Sequence, residues 1–267
     1  SDLYLGLQEI VRNNKELYAM MTQKPDFLTA FMKDSIMVNV LSNLYVKCLN
    51  HKETKRLLKE NKHFDVAIIE WLFPTMAALG AYYQIPIIGV TSLGAPIVAL
   101  DTLGNPSHPI VAPDHNLPLT RDMTLKERLL SVLYSIYVRI YYHWFVLPRE
   151  DDRIKNYLSP NLPSLRIIER NISVLLMNRN PVFHRSMPLT PATVELGGLE
   201  FPKVKQDIEP KLKKFLDDSK NGIIYFSLGT SIKGNLIPNE KIDIFKRVFK
   251  SLPYNVVWKW DEEEMRE

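Results

Sequence analysis

Residues 64–92 read FDVAIIEWLFPTMAALGAYYQIPIIGVTS, and this stretch decides the fold. Its two nearly continuous apolar runs, 66–69 and 85–90, are typical of strands buried on both faces, as in a parallel sheet. Between them, the Ala- and Leu-rich segment 75–84 follows Pro74 and predicts a helix with proline near its first turn. We therefore expect a strand–helix–strand unit with parallel strands.

The same pattern returns near the end of the chain. Residues 223–227 and 255–260 predict two more strands, and 239–252 predicts the helix between them. Before this unit, the polar, proline-flanked segment 201–207 has the character of a linker, and 210–219 predicts a short amphipathic helix. Two strands alone do not make a stable domain, so we expect this second α/β unit to be the start of a larger one.

Charge and residue counts argue against several functions. The 267 residues carry 34 basic and 30 acidic side chains, a net charge of +4 that is spread along the chain and not gathered into a basic patch. That distribution argues against direct nucleic-acid binding. The chain has 1 cysteine and 6 histidines, and the histidines show no metal-ligand spacing, so we expect no metal site.

An aromatic-rich helix is predicted over residues 124–147. We expect Pro148 to end it and residues 149–157 to continue as a charged helix. Arg139 and His143 interrupt the apolar run of the aromatic-rich helix, so the segment does not predict a membrane span. Two interpretations stay open. One is a core helix with aromatic packing, and the other is a surface that rests on a membrane.

Polar residues follow the first two predicted strands, at the edge of a parallel sheet where ligands bind. Glu70 ends the first strand, and its carboxylate could orient a histidine base and stabilise the imidazolium. A solvated or salt-bridged structural acid is the favoured interpretation of Glu70 taken alone. Further along, His108 lies in the proline-rich loop 104–118, where it is either an ordinary loop residue or part of a substrate pocket.

A second candidate site is the loop SLGTS, residues 227–231, which joins a predicted strand to a predicted helix. Gly229 lets the backbone approach a ligand closely, and backbone N–H groups with the hydroxyls of Ser227 and Thr230 could bind a phosphate. A plain turn is the alternative. No Gly-x-Gly-x-x-Gly or Walker A pattern occurs, so nicotinamide dehydrogenases and P-loop kinases lose their main support.

Taken in order, several blocks resemble the UDP-glycosyltransferase family of animals, and its insect members most closely. The likeness covers nearly the whole chain from about Phe64 onward. Each block is short, but their shared order makes a chance resemblance improbable. The blocks are residues 64–70, 85–89, 104–106, 111–113, 123–129, 194–199, 221–230 and 256–260.

The resemblance implies an α/β protein with the GT-B fold, in which two Rossmann-like domains face each other across a cleft. Residues 1–200 would form the acceptor-binding domain without its first strand and loop. Residues 201–221 would be a linker and short helix, and 222–267 the start of the UDP-sugar-binding domain. Both domains would then be incomplete, and we expect the chain to be an internal fragment of a longer protein.

The resemblance also implies a mechanism. A histidine deprotonates the acceptor hydroxyl with help from an aspartate, the sugar is transferred with inversion, and neither metal nor cofactor is required beyond the UDP-sugar co-substrate. Glu70 stands where many members have the assisting aspartate, and Ser227, Gly229 and Thr230 would bind the diphosphate. Because the family's histidine should precede Ser1, we expect this chain alone to be inactive on UDP-sugar.

The resemblance implies a small lipophilic acceptor, with Trp71, Phe73, Ser92 and His108 as pocket residues. It further implies, for the full-length form, a detoxifying enzyme of the endoplasmic reticulum membrane that faces the lumen and could form homo- or hetero-oligomers. An alternative stays open: a non-catalytic short form that binds lipophilic ligands or associates with full-length enzymes.

Overall fold

The computed structural model describes residues 26–60, 62–92, 94–114, 116–120, 122–184, 186–198, 207–229 and 237–260. The chain divides into two units, Ser1–Phe201 and Pro202–Glu267, and each has a parallel sheet. Most of the predicted linker falls on residues 201–206, outside the described residues. The domain boundaries and the functions assigned to them therefore stay predictions.

Four parallel strands form the sheet of the first unit, and they are arranged in sequence order. They are β1 (Ala67–Glu70), β2 (Ile87–Thr91), β3 (Ile172–Met177) and β4 (Thr193–Glu195). Each strand pairs in parallel with the next. The predicted strand–helix–strand unit and the α/β class are thereby confirmed.

One prediction about β1 is wrong, because the strand is not buried on both faces. Ile68 is 66% exposed, whereas Ile87 on β2 is 2% exposed. Among the described residues β1 is one of the two edge strands of the sheet. Fewer helices are therefore available to cover both of its faces than in the middle of a sheet.

Close packing fixes the identity of Gly89 in β2. A Cβ atom there would lie 2.6 Å from Cδ1 of Ile172 and 3.0 Å from Cβ of Trp71. Real side chains do not tolerate such contacts without moving their neighbours. The glycine therefore lets the Trp71 ring and the start of β3 close over the middle of the sheet.

The helices of the first unit begin with clear sequence signals. Asp26 caps the first helix, since its carboxylate accepts a 2.6 Å hydrogen bond from the Leu28 N–H and Thr29 completes a capping box. Thr124 and Glu127 form a second capping box at the start of the aromatic-rich helix. The helices are α1 (Phe27–Asn50), α2 (Lys52–Lys59), α3 (Ala78–Tyr83), α4 (Ile97–Thr102), α5 (Leu125–Tyr141), α6 (Leu147–Tyr157) and α7 (Leu165–Ile168), with 3₁₀ turns at Pro74–Ala77 and Glu169–Asn171.

The prediction that Pro148 ends the aromatic-rich helix is wrong. A π-helical turn, Tyr142–Val146, joins α5 to α6, and Pro148 lies in the first turn of α6. The Leu147 N–H donates to the carbonyl of Tyr142, five residues back. The wider turn therefore changes the hydrogen-bond pattern just before the proline, which has no N–H to donate.

One face of α5 and the π turn is apolar and exposed. Leu129, Leu133, Ile136, Ile140 and Trp144 repeat at three- or four-residue spacing and are between 49% and 75% exposed. The other face is buried, with Ser131, Tyr134 and Ser135 inside. The buried face agrees with a core helix, and the exposed apolar face agrees with a surface that rests on a membrane. Among the described residues, no helix is both long and apolar enough to cross a bilayer.

The second unit contains the other predicted strand–helix–strand pattern. The elements are α8 (Pro210–Asp218), β5 (Ile223–Phe226), α9 (Asn239–Lys250) and β6 (Asn255–Trp258). β5 and β6 pair in parallel, with Phe226 opposite Trp258. These two rings meet edge to face at 5.2 Å, and Phe249 from α9 packs against both. The aromatic contacts hold α9 against the two strands.

Candidate functional site

Glu70 is held in place at the carboxyl edge of the first sheet. The backbone N–H and the hydroxyl of Ser92, which follows β2, donate to Oε1 of Glu70 at 3.0 and 2.9 Å. Both bonds end on one oxygen, so Oε2 is available to a further donor, as a carboxylate that orients an imidazole requires. Glu70 is thus an oriented carboxylate as well as a structural tie between β1 and β2.

Trp71 and Phe73, two of the predicted pocket residues, pack in the core. They are 3% and 4% exposed, and Phe73 stacks with Tyr45 of α1 at 5.8 Å between ring centroids. Burial raises the pKa of Tyr45, and the charge of Glu70 raises it further. Tyr45 therefore lies close enough to Glu70 to feel its charge, which places this part of α1 beside the end of β1.

A cavity of about 1060 Å³ opens at the carboxyl ends of the strands. Its walls include Leu72 and Phe73 after β1, residues 94–98 after β2, and Met177 at the end of β3. Its volume is typical of small-molecule sites, and most of its lining is apolar. The cavity lies where ligands of parallel α/β sheets bind.

The predicted pocket residues divide into two pairs. Phe73 and His108 line the cavity, and other residues of the proline-rich loop join His108 there. Trp71 and Ser92 are not among the lining residues; Trp71 packs over Gly89, and Ser92 binds Glu70. A role in ligand binding stays a prediction for all four.

The cavity also has a polar end, which the sequence reasoning missed. Asp34 on α1 accepts a 2.7 Å hydrogen bond from the Tyr134 hydroxyl and a 3.2 Å bond from the Asn116 amide. Burial raises the pKa of Asp34 to about 6, against the hydrogen bond from Tyr134, and the charge of Asp114 raises it further. Asp34 is the single acid in the sequence of α1, and that was the available signal.

A buried acid also lies behind one wall of the cavity. Tyr142 lines the cavity, and its hydroxyl donates a 2.6 Å hydrogen bond to Oε2 of Glu169. Burial raises the pKa of Glu169 to about 7, although Tyr142, Arg166 and Arg170 each act to lower it. The hydrogen bond fixes the Tyr142 ring. The protonation state of Glu169, which changes near neutral pH, therefore affects a residue of the cavity wall.

The candidate phosphate loop follows β5 in the second unit. The Gly229 N–H donates a 3.2 Å hydrogen bond to the Ser227 hydroxyl, and Gly229 has a φ of +76°, which favours glycine. The ammonium of Lys259 donates a 2.9 Å bond to the Gly229 carbonyl. Thr230 lies outside the described residues.

Lys259 was missed by the sequence reasoning, although its position was a signal. It directly follows β6, and Ser227 directly follows β5. Because β5 and β6 are parallel, residues that follow their carboxyl ends meet at the same edge. A lysine at that edge brings a positive charge to the candidate phosphate loop.

No group of three or more His, Cys, Asp or Glu side chains that could hold a metal ion occurs among the residues covered by the structure. The expectation that no metal is needed stays a prediction.

Fold and sites together define an α/β protein with a small-molecule cavity at the carboxyl edge of its first sheet and a candidate phosphate loop in its second unit. The family model described as UDP-glucoronosyl and UDP-glucosyl transferase matches residues 6–266, and the chain belongs to this family. The resemblance inferred from the sequence is thereby confirmed, and so is the GT-B fold class, which is that of the family.

Similar proteins come from insects and their viruses. The chain is 26% identical over 221 residues to an ecdysteroid UDP-glucosyltransferase of Spodoptera littoralis nuclear polyhedrosis virus, which covers 80% of this chain and 42% of the relative. It is 29% identical over 213 residues to UDP-glycosyltransferase UGT5 of Dactylopius coccus, with 78% of this chain and 40% of the relative covered. The chain thus spans about two fifths of the length of these relatives.

Proposed function

We propose that the protein to which this chain belongs transfers a sugar from a UDP-sugar to a hydroxyl group of a small lipophilic acceptor. The observation that carries the proposal is the largely apolar cavity at the carboxyl edge of the first sheet, in a chain of this family. An apolar cavity of this size favours a lipophilic acceptor. The relatives named as ecdysteroid UDP-glucosyltransferases agree with such an acceptor.

On the acceptor side, Glu70 assists a histidine that acts as the base. This histidine is implied by the family resemblance. The histidine takes the proton of the acceptor hydroxyl, and the oxygen attacks the anomeric carbon while the bond from that carbon to UDP breaks. Attack opposite the leaving group inverts the configuration. Glu70 holds the imidazole and stabilises its positive charge, and the two hydrogen bonds from Ser92 keep the carboxylate oriented.

On the donor side, the loop that begins at Ser227 binds the diphosphate, together with Thr230. Backbone N–H groups and hydroxyls are donors for the phosphate oxygens. The Lys259 ammonium, already 2.9 Å from the Gly229 carbonyl, offsets the charge that develops on UDP as it leaves. This arrangement supplies positive charge without a metal ion.

For the whole protein we propose attachment to the endoplasmic reticulum membrane on the lumenal side and a role in detoxification. Assembly with a second copy or with another family member belongs to the same proposal. These points rest on the family resemblance, and cell fractionation with protease protection of the intact protein tests them.

The transferase proposal is tested with the full-length protein, radiolabelled UDP-glucose or UDP-glucuronate, and a panel of phenols and sterols. We expect a glycoside whose anomeric proton coupling shows the inverted configuration, at a rate that EDTA leaves unchanged. Retained configuration would contradict the mechanism. Binding of acceptors without any sugar transfer would favour the non-catalytic function instead.

A further inference from the structure

We propose that the cavity selects elongated, rigid acceptors with two hydroxyl groups, one presented at the strand ends and the second hydrogen-bonded to the carboxylate of Asp34. The inference rests on the proposed function, in which this cavity is the acceptor site. It adds a specificity-determining residue and narrows the acceptor class from lipophilic alcohols to apolar diols.

The geometry of α1 sets the distance between the two hydroxyl groups. Asp34, Met37, Val38 and Leu41 lie on one face of the helix and all line the cavity. At a rise of about 1.5 Å per residue, Asp34 and Leu41 are about 10 Å apart along the helix axis. One turn beyond Leu41, Tyr45 stacks on Phe73 at the strand ends. A ligand that reaches both ends of the cavity is therefore on the order of 10–15 Å long.

The carboxylate of Asp34 is prepared to accept a further hydrogen bond. Tyr134 donates to Oδ2 and Asn116 donates to Oδ1. Each oxygen of a carboxylate has two lone-pair positions, so each can accept one more bond. Because two donors on other parts of the chain already fix the carboxylate, a ligand does not have to bear the entropy cost of ordering it.

A hydroxyl group is the donor that suits this position. Met37, Val38 and Leu41, which follow Asp34 on the same helix face, are apolar. The titratable groups that interact with Asp34 are Tyr134, Tyr137 and Asp114, and Lys33, its neighbour in sequence, also lines the cavity. A hydroxyl supplies a neutral donor to the partly buried carboxylate and adds no charge that would itself have to be desolvated.

Equilibrium dialysis without UDP-sugar tests the proposal, with two radiolabelled probes: estradiol, and its analogue that lacks the hydroxyl of the five-membered ring. We expect the protein to bind the diol about tenfold or more tightly than the mono-ol, as a hydrogen bond to a charged group implies. Asp34→Ala should reduce this ratio to about one by weakening diol binding alone. Asp122→Ala, an exposed acid outside the cavity, should keep the wild-type ratio.

A second readout is the pH dependence of the affinity ratio. The preference for the diol should fall as the pH is lowered through about 6, because protonation converts one acceptor oxygen of Asp34 into a donor. In Asp34→Asn, which keeps the shape of the side chain, the ratio should not change over this range. If Asp34→Ala does not fold, Asp34→Asn replaces it as the variant whose affinity ratio for the two probes is compared with that of the wild type.

Equal affinity of the wild-type protein for both probes, or a preference that survives in Asp34→Ala, would overturn the inference. A diol preference that depends on Asp34, in a protein that transfers no sugar, would contradict the transferase proposal and leave the binding site standing. Sugar transfer without a diol preference would contradict this inference and leave the transferase proposal standing.

Discussion

The hydroxyl of Thr75 donates a 3.0 Å hydrogen bond to the fully buried carboxylate of Glu150, which lies 75 residues further along the chain. Ser42 of α1 donates to the other carboxylate oxygen, and Arg149 pairs with that same oxygen at 3.2 Å. One side chain of α6 thus ties together α1 and the 3₁₀ turn that follows β1. This turn directly follows Phe73, so Glu150 supports one wall of the cavity from behind.

Removing the Glu150 carboxylate should destabilise the first unit strongly. Glu150→Ala leaves Arg149 and Arg153 without their buried partner and two hydroxyls without an acceptor, and we expect a loss of about 3–5 kcal/mol in the free energy of unfolding. Glu150→Gln, which keeps one acceptor, should lose less. Urea unfolding followed by circular dichroism measures both, with the exposed Asp152→Ala on the same helix as control. A Glu150→Ala variant as stable as the control would contradict this role.

Glu169 should make the protein less stable as the pH rises from about 4.5 to about 7. Its pKa is 4.5 ordinarily and about 7 in the folded protein. In this window the unfolded chain has released the proton while the folded protein still holds it, so stability falls with rising pH. Glu169→Gln keeps an acceptor for Tyr142 and removes the titration. At pH 8 it should raise stability by on the order of 3 kcal/mol at most.

Thermal unfolding at several pH values measures this effect, with the exposed Asp152→Asn as a control that removes the same charge. Some slope should persist in Glu169→Gln, because the pKa of Asp34 is also raised, to about 6. An unchanged slope between pH 4.5 and 7 in Glu169→Gln would show that the Tyr142–Glu169 pair does not titrate as described.

If the proposed transfer is correct, Glu70→Gln should lower its kcat by about 100-fold or more, since a neutral side chain cannot stabilise an imidazolium. The acceptor KM should change little, because Glu70 is not among the residues that line the cavity. Ser92→Ala, which frees the carboxylate to turn, should cost about tenfold. Steady-state kinetics and melting temperatures are compared with Asp65→Asn, an exposed acid just before β1. Full activity of Glu70→Gln would remove Glu70 from the mechanism.

Lys259→Ala should weaken UDP binding by about tenfold, through the loss of one charge-assisted contact to the diphosphate. Isothermal titration with UDP and with uridine separates this contact from nucleoside binding, and only UDP should be affected. The exposed Lys241→Ala serves as the matched control. Equal losses of affinity for UDP and uridine would point to damage to the loop instead of a lost phosphate contact.

Local patterns in the sequence were sufficient to predict the strands β1 and β2 and the polar residues at their carboxyl ends. Apolar runs placed β1 and β2, and the parallel arrangement put Glu70 and Ser92 at one edge, where they are hydrogen-bonded. The proline-rich loop 104–118 was a candidate for a substrate pocket, and His108 with other residues of this loop lines the cavity.

Long-range contacts explain what was missed. Asp34 is significant only because Tyr134, 100 residues away, and Asn116 bind it. The buried carboxylate of Glu150 has partners from other elements, since Ser42 and Thr75 both donate to it. Neither acid stands in a local pattern that predicts its partners, since those partners are chosen by packing and not by neighbouring residues.

The π-helical turn Tyr142–Val146 has a rotational consequence. A helix turns by about 100° for each residue, so one additional residue in a turn changes the direction in which every later side chain points. Deleting one residue from this turn would swing the Glu150 side of α6 away from Thr75, while the faces of α5 kept their orientation. The turn therefore sets the angle between the side chains of α5 and those of α6.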